Sequence, residues 1–343
     1  MMRLPLSWLL AFTTAALALL LLGSLATGPM TLTLGESLRA LFAGQESGIE
    51  SHKLLIVQEI RLPRTLLCIA VGGILGLCGA VMQGLFRNPL ADPGIIGVSS
   101  GAALGAALAI VLLAPLGQQL QATIGVGLLP LLAFLGGALT TTLVYLLGTR
   151  EGGTSVTVML LAGVAITALS GAVIGLLTYL ADDQMLRNLS LWQMGTLAAG
   201  KPADVALALL TLAALLWLFM RDANPLNALL LGEGEARHLG VNVQSLKRRL
   251  ILLTAAGVGV AVAVSGMIGF VGLVVPHLVR LLAGPNHVRL LPLSALLGAA
   301  LLLAADMLAR TLLAPAELPV GVITALLGAP FFIWLLVKGR RAL

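Results

Sequence analysis

Long apolar runs separated by short polar connections dominate this sequence. Three of them, residues 4–27, 123–148 and 156–180, contain no charged side chain at all. A helix needs about 20 apolar residues to cross a hydrocarbon core about 30 Å thick. A transmembrane β-barrel would instead show short segments of alternating polarity. The chain is therefore predicted to be an all-α polytopic membrane protein.

Composition excludes a soluble globular protein. Of the 343 residues, 59% are hydrophobic and 10% are charged, whereas soluble domains contain about 25% charged residues. The net charge of +6 does not indicate a nucleic-acid partner, because the basic residues lie between apolar runs and form no soluble basic face. The chain is therefore predicted to be surrounded by membrane lipid.

The spacing of the apolar runs predicts ten spans in one membrane domain, residues 1–343. They lie near 4–27, 65–86, 94–114, 123–148, 156–180, 204–220, 250–267, 270–283, 290–309 and 318–337. Ile251 to Ala283 is divided into two spans, because Gly266 and Gly269 allow a break there. Ten spans place both termini and most of the twenty Lys and Arg residues inside, as the positive-inside rule requires.

The segment 222–249 is the most polar interruption between two spans on the predicted inner side. Pro225, Gly232 and Gly234 are expected to stop one helix, and Glu235 to Leu239 to form about a turn and a half of another.

Residues at the end of this segment match the requirements of helix caps. Gly240 suits a left-handed C-terminal cap, Asn242 suits the N-terminal cap of the next helix, and Lys247 to Arg249 lie where the chain becomes apolar again. A compact folded loop of this kind favours a docking surface for a cytoplasmic partner. An ordinary positive-inside connector is the alternative, which accounts for the basic triplet but not for a capped helix. The candidate docking residues are Glu235, Ala236, Arg237, His238, Leu239 and Gly240.

Two arginines lie at the opposite, outward mouth of the second span. Arg61 and Arg64 follow the longer polar segment 28–60, which we expect to be solvated, and their spacing places them on one helical face with Pro63 in the first turn. Outward arginines run against the positive-inside bias. They act either as snorkelling anchors or as a recognition site for an acidic partner outside.

Motifs for catalysis and for metal binding are missing from the sequence. We find no His-Glu-x-x-His, no phosphate-binding Gly-x-x-x-x-Gly-Lys and no Cys/His cluster. Asp92, before Pro93, is expected to cap a helix, and the acidic pair Asp182-Asp183 is expected to form a solvated cap at an outer helix end. Because the spans are nearly free of carboxylates, the chain lacks the groups that an ion-coupled carrier uses. No enzyme activity and no resident metal or cofactor are predicted.

Several motifs together resemble the iron-chelate/haem/vitamin B12 (FecCD-type) permease family of binding-protein-dependent ABC importers. The resemblance covers about residues 58–336 and is carried by Arg61-Leu-Pro-Arg-Thr-Leu, Gly79-Ala-Val-Met-Gln-Gly, Asn88-Pro-Leu-Ala-Asp-Pro, Gly269-Phe-Val-Gly-Leu-Val-Val-Pro-His and Glu317-Leu-Pro-Val. It implies a type II ABC importer fold with ten helices per subunit and a homodimer in the bacterial inner membrane. It further implies two cytoplasmic ATPase subunits, which bind ATP and Mg²⁺, and a periplasmic substrate-binding protein.

The resemblance also assigns roles to individual residues. It implies that Arg61, Arg64 and Arg310 pair with acidic residues of the binding protein, and that the segment 222–249 holds the coupling helices. It places the substrate pathway along the fifth, eighth and tenth spans, with candidates Val164, Val271, His277 and Val320.

The substrate stays open at this stage among haem, a ferric siderophore and cobalamin. The stretch 181–195 resembles haem-uptake members of the family more than cobalamin members. Arg187 would then meet a propionate, while Met185 and Met194 would offer soft contacts. The alternative is that this stretch only anchors an outer loop.

Overall fold

The chain folds as a bundle of apolar helices. The computed structural model describes residues 5–42, 50–113, 127–150, 153–198 and 200–340. The long or apolar helices within these ranges are α1 Leu6–Ala26, α3 Ser51–Leu85, α4 Val98–Val111, α5 Leu128–Gly148, α6 Val156–Leu180, α8 Pro202–Arg221, α11 Val243–Ser265, α12 Val271–Ala283, α13 His287–Thr311 and α14 Val320–Arg340. The remaining elements are the short helices α2 Leu34–Phe42, α7 Asp183–Gln193, α9 Ala223–Leu230 and α10 Glu233–His238, a 3-10 turn at Pro93–Ile96, and a hairpin of β1 Thr149–Arg150 with β2 Gly153–Thr154.

These helices confirm the prediction of an all-α protein with about ten spans. In the described ranges, seven helices are long and apolar enough to cross a membrane, and α4, α12 and α14 contain shorter apolar segments. Each overlaps one predicted span, although residue 4, residue 114 and residues 123–126 of those spans lie outside the described ranges.

The break between the seventh and eighth spans is confirmed. Helix α11 ends at Ser265 and α12 begins at Val271, with Gly266 and Phe270 both in the left-handed region of φ. The backbone at this break is held in place, since the Thr196 N–H donates to the carbonyl of the buried Ser265 at 2.8 Å.

The second span starts earlier than the sequence predicts. Helix α3 begins at Ser51 and not near residue 65, and Pro63 lies inside it, preceded by a π-helical turn at Ile56–Arg61. Proline lacks the N–H for an i→i−4 bond and crowds the preceding turn. The wider π-turn directly before Pro63 accommodates both effects.

Helix α3 forms the centre of the bundle because its glycines allow close approach. A Cβ atom at Gly72 or Gly76 would overlap backbone atoms of α13, at Gly298 and Ser294 respectively. Small residues at such spacing let two helix backbones touch. This close packing buries most of α3.

The described parts of the segment 28–60, residues 28–42 and 50–60, contain more helix than the solvated loop that the sequence predicts. Thr33 and Glu36 form a capping box for α2, with the Thr33 N–H donating to Glu36 Oε2 at 2.8 Å and the Glu36 N–H donating to Thr33 Oγ1 at 3.2 Å. The Lys53 ammonium then donates to Glu36 Oε1 at 2.9 Å, and this bond, together with the bonds from the Thr33 N–H and hydroxyl, lowers the pKa of Glu36 to about 2.

Candidate functional sites

Three arginines and two carboxylates come together where α1 and α13 end, beside the first half of α3. We call Arg61, Arg64, Arg310, Asp306 and Glu317 the arginine cluster. Arg64 contacts Asp306 Oδ1 at 2.9 Å and Glu317 Oε2 at 2.7 Å, and Arg310 Nε lies 3.0 Å from Asp306 Oδ2. The fully buried Asp306 carboxylate therefore joins two arginines that are far apart in the sequence.

Arg61 makes a different set of contacts, all with backbone oxygens. Its guanidinium donates to the carbonyls of Leu25 at 2.7 Å and Ala26 at 2.9 Å, and also to the carbonyl of Met30. The last carbonyls of a helix have no partner within it. Arg61 thus caps the C-terminal end of α1.

The structure corrects the expectation that these arginines form a solvated rim. Arg61, Arg64 and Arg310 are only 3%, 5% and 2% exposed. The sequence could not show this burial, because the partners Asp306 and Glu317 lie on distant elements. Docking of a binding protein by the three arginines stays a prediction, and it now requires that the cluster act from beneath the surface.

Helix α13 connects this cluster with the polar segment 222–249, which we call the polar loop. Arg310 lies in its last turn, while the N–H of its first residue, His287, donates to Asn227 Oδ1 of α9 at 2.8 Å. At 1.5 Å per residue, its 25 residues extend roughly 37 Å, which exceeds a hydrocarbon core of about 30 Å. The arginine cluster and the polar loop therefore lie at opposite ends of the bundle.

The polar loop is folded, as predicted, but it contains two short helices and not one. Pro225 and Gly234 do not end helices, since Pro225 lies in the first turn of α9 and Gly234 lies within α10. The first turn of a helix tolerates proline because its N–H groups have no intrahelical partner.

The predicted caps of the polar loop are confirmed. Gly240 has a φ of 81°, its N–H donates to the Arg237 carbonyl at 2.9 Å, and the Val241 N–H donates to the Ala236 carbonyl at 2.9 Å. These two bonds form a Schellman motif. Asn242 Oδ1 accepts from the Ser245 N–H at 3.1 Å and so caps α11.

The candidate docking residues of the polar loop differ in exposure, since one packs against the bundle and the others face outward. Ala236 is buried against the bundle, whereas Leu239 is 64% exposed. The other candidates, Glu235, Arg237, His238 and Gly240, are also exposed. Leu231, just before α10, adds a second exposed leucine. The loop thus presents apolar side chains on a rigid frame; their coupling role stays a prediction.

Two ion pairs, each with one buried partner, fix the polar loop to the base of α11. Lys247 Nζ lies 2.6 Å from Glu233 Oε1, and Arg249 forms an ion pair with the buried Asp222. From the sequence, the basic triplet Lys247 to Arg249 is explained by the positive-inside rule alone. Its first and third members instead hold carboxylates of the loop.

A cavity of about 730 Å³ lies between the 3-10 turn, α4 and α6. Of the predicted pathway residues, Val164 lines it. The polar residues around it, which the sequence did not single out as a site, are Asp92, Ser99, Ser100, Thr167 and Gln193. Thr167 Oγ1 donates to Ser100 Oγ at 3.2 Å across the cavity wall. A few polar side chains on an otherwise apolar wall are typical of small-molecule sites.

Asp92 is the only carboxylate among the described residues that line this cavity. Its predicted capping role is confirmed, because Asp92 Oδ1 accepts from the Gly94 N–H at 2.7 Å. Burial raises the pKa of Asp92, and the Gly94 bond opposes this rise.

The other predicted substrate residues are scattered. Val271 and Val320 are buried, because α12 and α14 turn these positions into the bundle; their assignment to the substrate pathway stays a prediction. His277 is half-buried, with its ring edge on Phe331 at a centroid distance of 6.1 Å.

The stretch after the fifth span folds as α7. Asp182 caps α7, as predicted, by accepting from the Met185 N–H at 2.7 Å. Arg187 and Met194 are exposed, and Met185 packs against a small apolar cluster that includes Leu189. The arrangement leaves Arg187 free to meet a ligand from outside the bundle; that role stays a prediction.

Among the described residues, no group of three His, Cys, Asp or Glu side chains is placed to hold a metal ion.

Comparison with known proteins supplies the observation that decides the family. Residues 16–338 match the FecCD transport family. The chain belongs to that family. It is 47% identical over 336 residues to the hemin transport system permease protein HmuU of Yersinia pestis, covering 97% of this chain and 96% of that protein. It is 42% identical over 334 residues to the vitamin B12 import system permease protein BtuC of Shigella boydii, covering 97% and 96%.

A solved structure agrees with this membership. The chain superposes with a TM-score of 0.82 and 34% identity on a metal-chelate type ABC transporter in an inward-facing conformation, covering 97% of this chain and 99% of that one. Within this FecCD member, the arginine cluster, the polar loop and the cavity all fall inside the matched range 16–338.

Proposed function

We propose that this FecCD family member is the permease subunit of an ATP-driven importer that moves haem, or another iron chelate, from the periplasm to the cytoplasm. The observation that carries the proposal is the 47% identity to a hemin transport permease along 97% of the chain. The exposed Arg187 on α7 supports an anionic ligand such as a haem propionate.

The energy for transport comes from partner subunits in this proposal. The described helices contain few carboxylates, and the polar loop presents Leu231 and Leu239 to the predicted cytoplasmic side. Two ATPase subunits would cover these leucines, and ATP and Mg²⁺ would bind there and not to the permease, which has no catalytic role and no resident cofactor. The chain would lie in the bacterial inner membrane with both termini in the cytoplasm.

A second copy of the chain and a binding protein complete the proposed complex. Helix α6 leaves an apolar face with Leu161, Val164 and Leu169 uncovered, which a partner permease would bury in a homodimer. At the other surface, three arginines face two carboxylates, so the arginine cluster retains a net positive charge. An acidic periplasmic binding protein would be attracted to this end.

The substrate is tested by direct uptake. The permease is reconstituted in proteoliposomes with its ATPase and binding protein, and uptake of hemin, a ferric siderophore and cobalamin is measured separately. We expect ATP-dependent accumulation of hemin. Accumulation of cobalamin or the siderophore without hemin would replace haem by that ligand and leave the import mechanism in place.

A further inference from the structure

The β1–β2 hairpin that leads into α6 is bound to α11 through the backbone N–H and the backbone carbonyl of Thr154. The Thr154 N–H donates to Gln244 Oε1 at 3.0 Å, and the Thr154 carbonyl accepts from Lys247 Nζ at 3.0 Å. Gln244 and Lys247 are three residues apart and so lie on one face of the first turns of α11. We call Thr154, Gln244, Lys247 and Glu233 the Thr154 clamp.

Lys247 extends this clamp to the polar loop. Its ammonium also contacts Glu233, the first residue of α10, at 2.6 Å, and the side chain is 2% exposed. A buried ammonium needs partners for its charge and its N–H groups. Because its partners lie on α10 and on the hairpin, Lys247 fixes both of these elements to α11.

The element on the other side of the hairpin is α6, which lines the cavity. Ser155 follows Thr154 directly and caps α6, and the cavity begins at Gly163 and Val164 of the same helix. From Thr154 to Val164 a helix advances by only about 15 Å. A displacement of α10 therefore has a short and rigid connection to the cavity wall.

We propose that Lys247 is a positioning residue that makes α10 and the start of α6 move together, so that movement of the polar loop changes the cavity. This inference rests on the proposed function, because it assumes that a partner moves α10. It assigns to the buried lysine a role in coupling in addition to its contribution to the fold.

The test measures coupling apart from assembly. In the complete reconstituted complex, hemin uptake per ATP hydrolysed is compared for wild type, Lys247→Met and Lys247→Arg. The matched control is Arg248→Met, which removes the same charge from the exposed neighbouring position. We expect Lys247→Met to lower uptake per ATP at least tenfold while ATPase recovery and ATP hydrolysis stay within twofold of wild type. Lys247→Arg should retain most of the coupling, and Arg248→Met should match wild type.

A second readout follows α6 directly. An environment-sensitive fluorophore on Thr157→Cys, an exposed site in the first turn of α6, should respond to ATP in the wild-type complex and lose most of that response in Lys247→Met. An unchanged uptake per ATP, or an unchanged fluorescence response, in Lys247→Met would overturn the inference.

Two further outcomes are also decisive. If the complex with Lys247→Met does not assemble, the same measurements are made on Glu233→Gln, because this change leaves Lys247 and its bond to Thr154 present. If the complex with Glu233→Gln also fails to assemble, the Thr154 clamp only stabilises the fold and the inference is refuted. Absence of ATP-dependent hemin uptake by wild type would instead count against haem as the substrate, and the fluorescence response to ATP would then decide the clamp alone.

Discussion

Replacing Leu239 tests whether the polar loop binds the ATPase. Complete burial of a leucine side chain is worth about 1.5–3 kcal/mol. Leu239 is 64% exposed in the free chain, and scaling by this fraction gives about 1–2 kcal/mol for burial by a partner. Since 1.4 kcal/mol is a tenfold change in affinity, Leu239→Ala should weaken ATPase binding by about 5- to 30-fold at each loop.

Two further variants at this position separate apolar contact from a general disturbance of the loop. Leu239→Asp should bind more weakly than Leu239→Ala, because it would also bury an unpaired carboxylate. Leu239→Met retains the apolar area and should bind like wild type. None of the three should change the stability of the free permease by more than about 0.5 kcal/mol, because the side chain is exposed there.

The assay is co-purification of the permease with a tagged ATPase, followed by titration to obtain Kd and by uptake measurements. Loss of ATPase recovery and of uptake together is expected for Leu239→Asp. Undiminished recovery with normal uptake would show that the polar loop is a connector and would refute its role in docking.

Three further predictions concern the frame that supports these sites. Asp306→Asn should destabilise the permease by about 3–5 kcal/mol, because it leaves Arg64 and Arg310 buried without their shared carboxylate. Thermal unfolding in detergent should show a lowered Tm, and an unchanged Tm would contradict the pairing. Gly72→Val should cost about 1–3 kcal/mol or more by overpacking against Gly298, which the same assay measures, with the exposed Gly171→Ala as a tolerated control. The pKa of Glu36 falls from 4.5 in the unfolded chain to about 2 in the folded protein, so the stabilisation by the Glu36 carboxylate is complete above pH 4.5 and is lost as the pH falls through about 2. The difference in Tm between wild type and Glu36→Gln should therefore shrink between these two pH values. A Tm difference that does not change with pH would contradict the Lys53 contact.

The spans and caps could be predicted from the sequence because they depend on local patterns. An apolar run of membrane length, a left-handed glycine at Gly240 and a cap at Asn242 each require only neighbouring residues. Helix α3 was predicted too short, because its first turns at Ser51–Arg61 contain polar residues that hydropathy excludes.

The sites could be predicted only in part, because they depend on contacts between distant residues. Arg64 and Asp306 are 242 positions apart, and nothing local shows that they form a buried pair. For the same reason Lys247 was interpreted as an exposed topological charge, although it contacts Thr154, 93 positions away. The cavity was missed except along α6, because its polar side chains come from four separate elements, the 3-10 turn, α4, α6 and α7.

The measurement that tests the central claim most directly is hemin accumulation in proteoliposomes with and without the ATPase. With the ATPase and the binding protein present, we predict accumulation that requires ATP hydrolysis and is unaffected by collapsing the ion gradients. Accumulation driven by an ion gradient with the permease alone would contradict the account, because it would make this chain a secondary carrier that needs no partner at the polar loop.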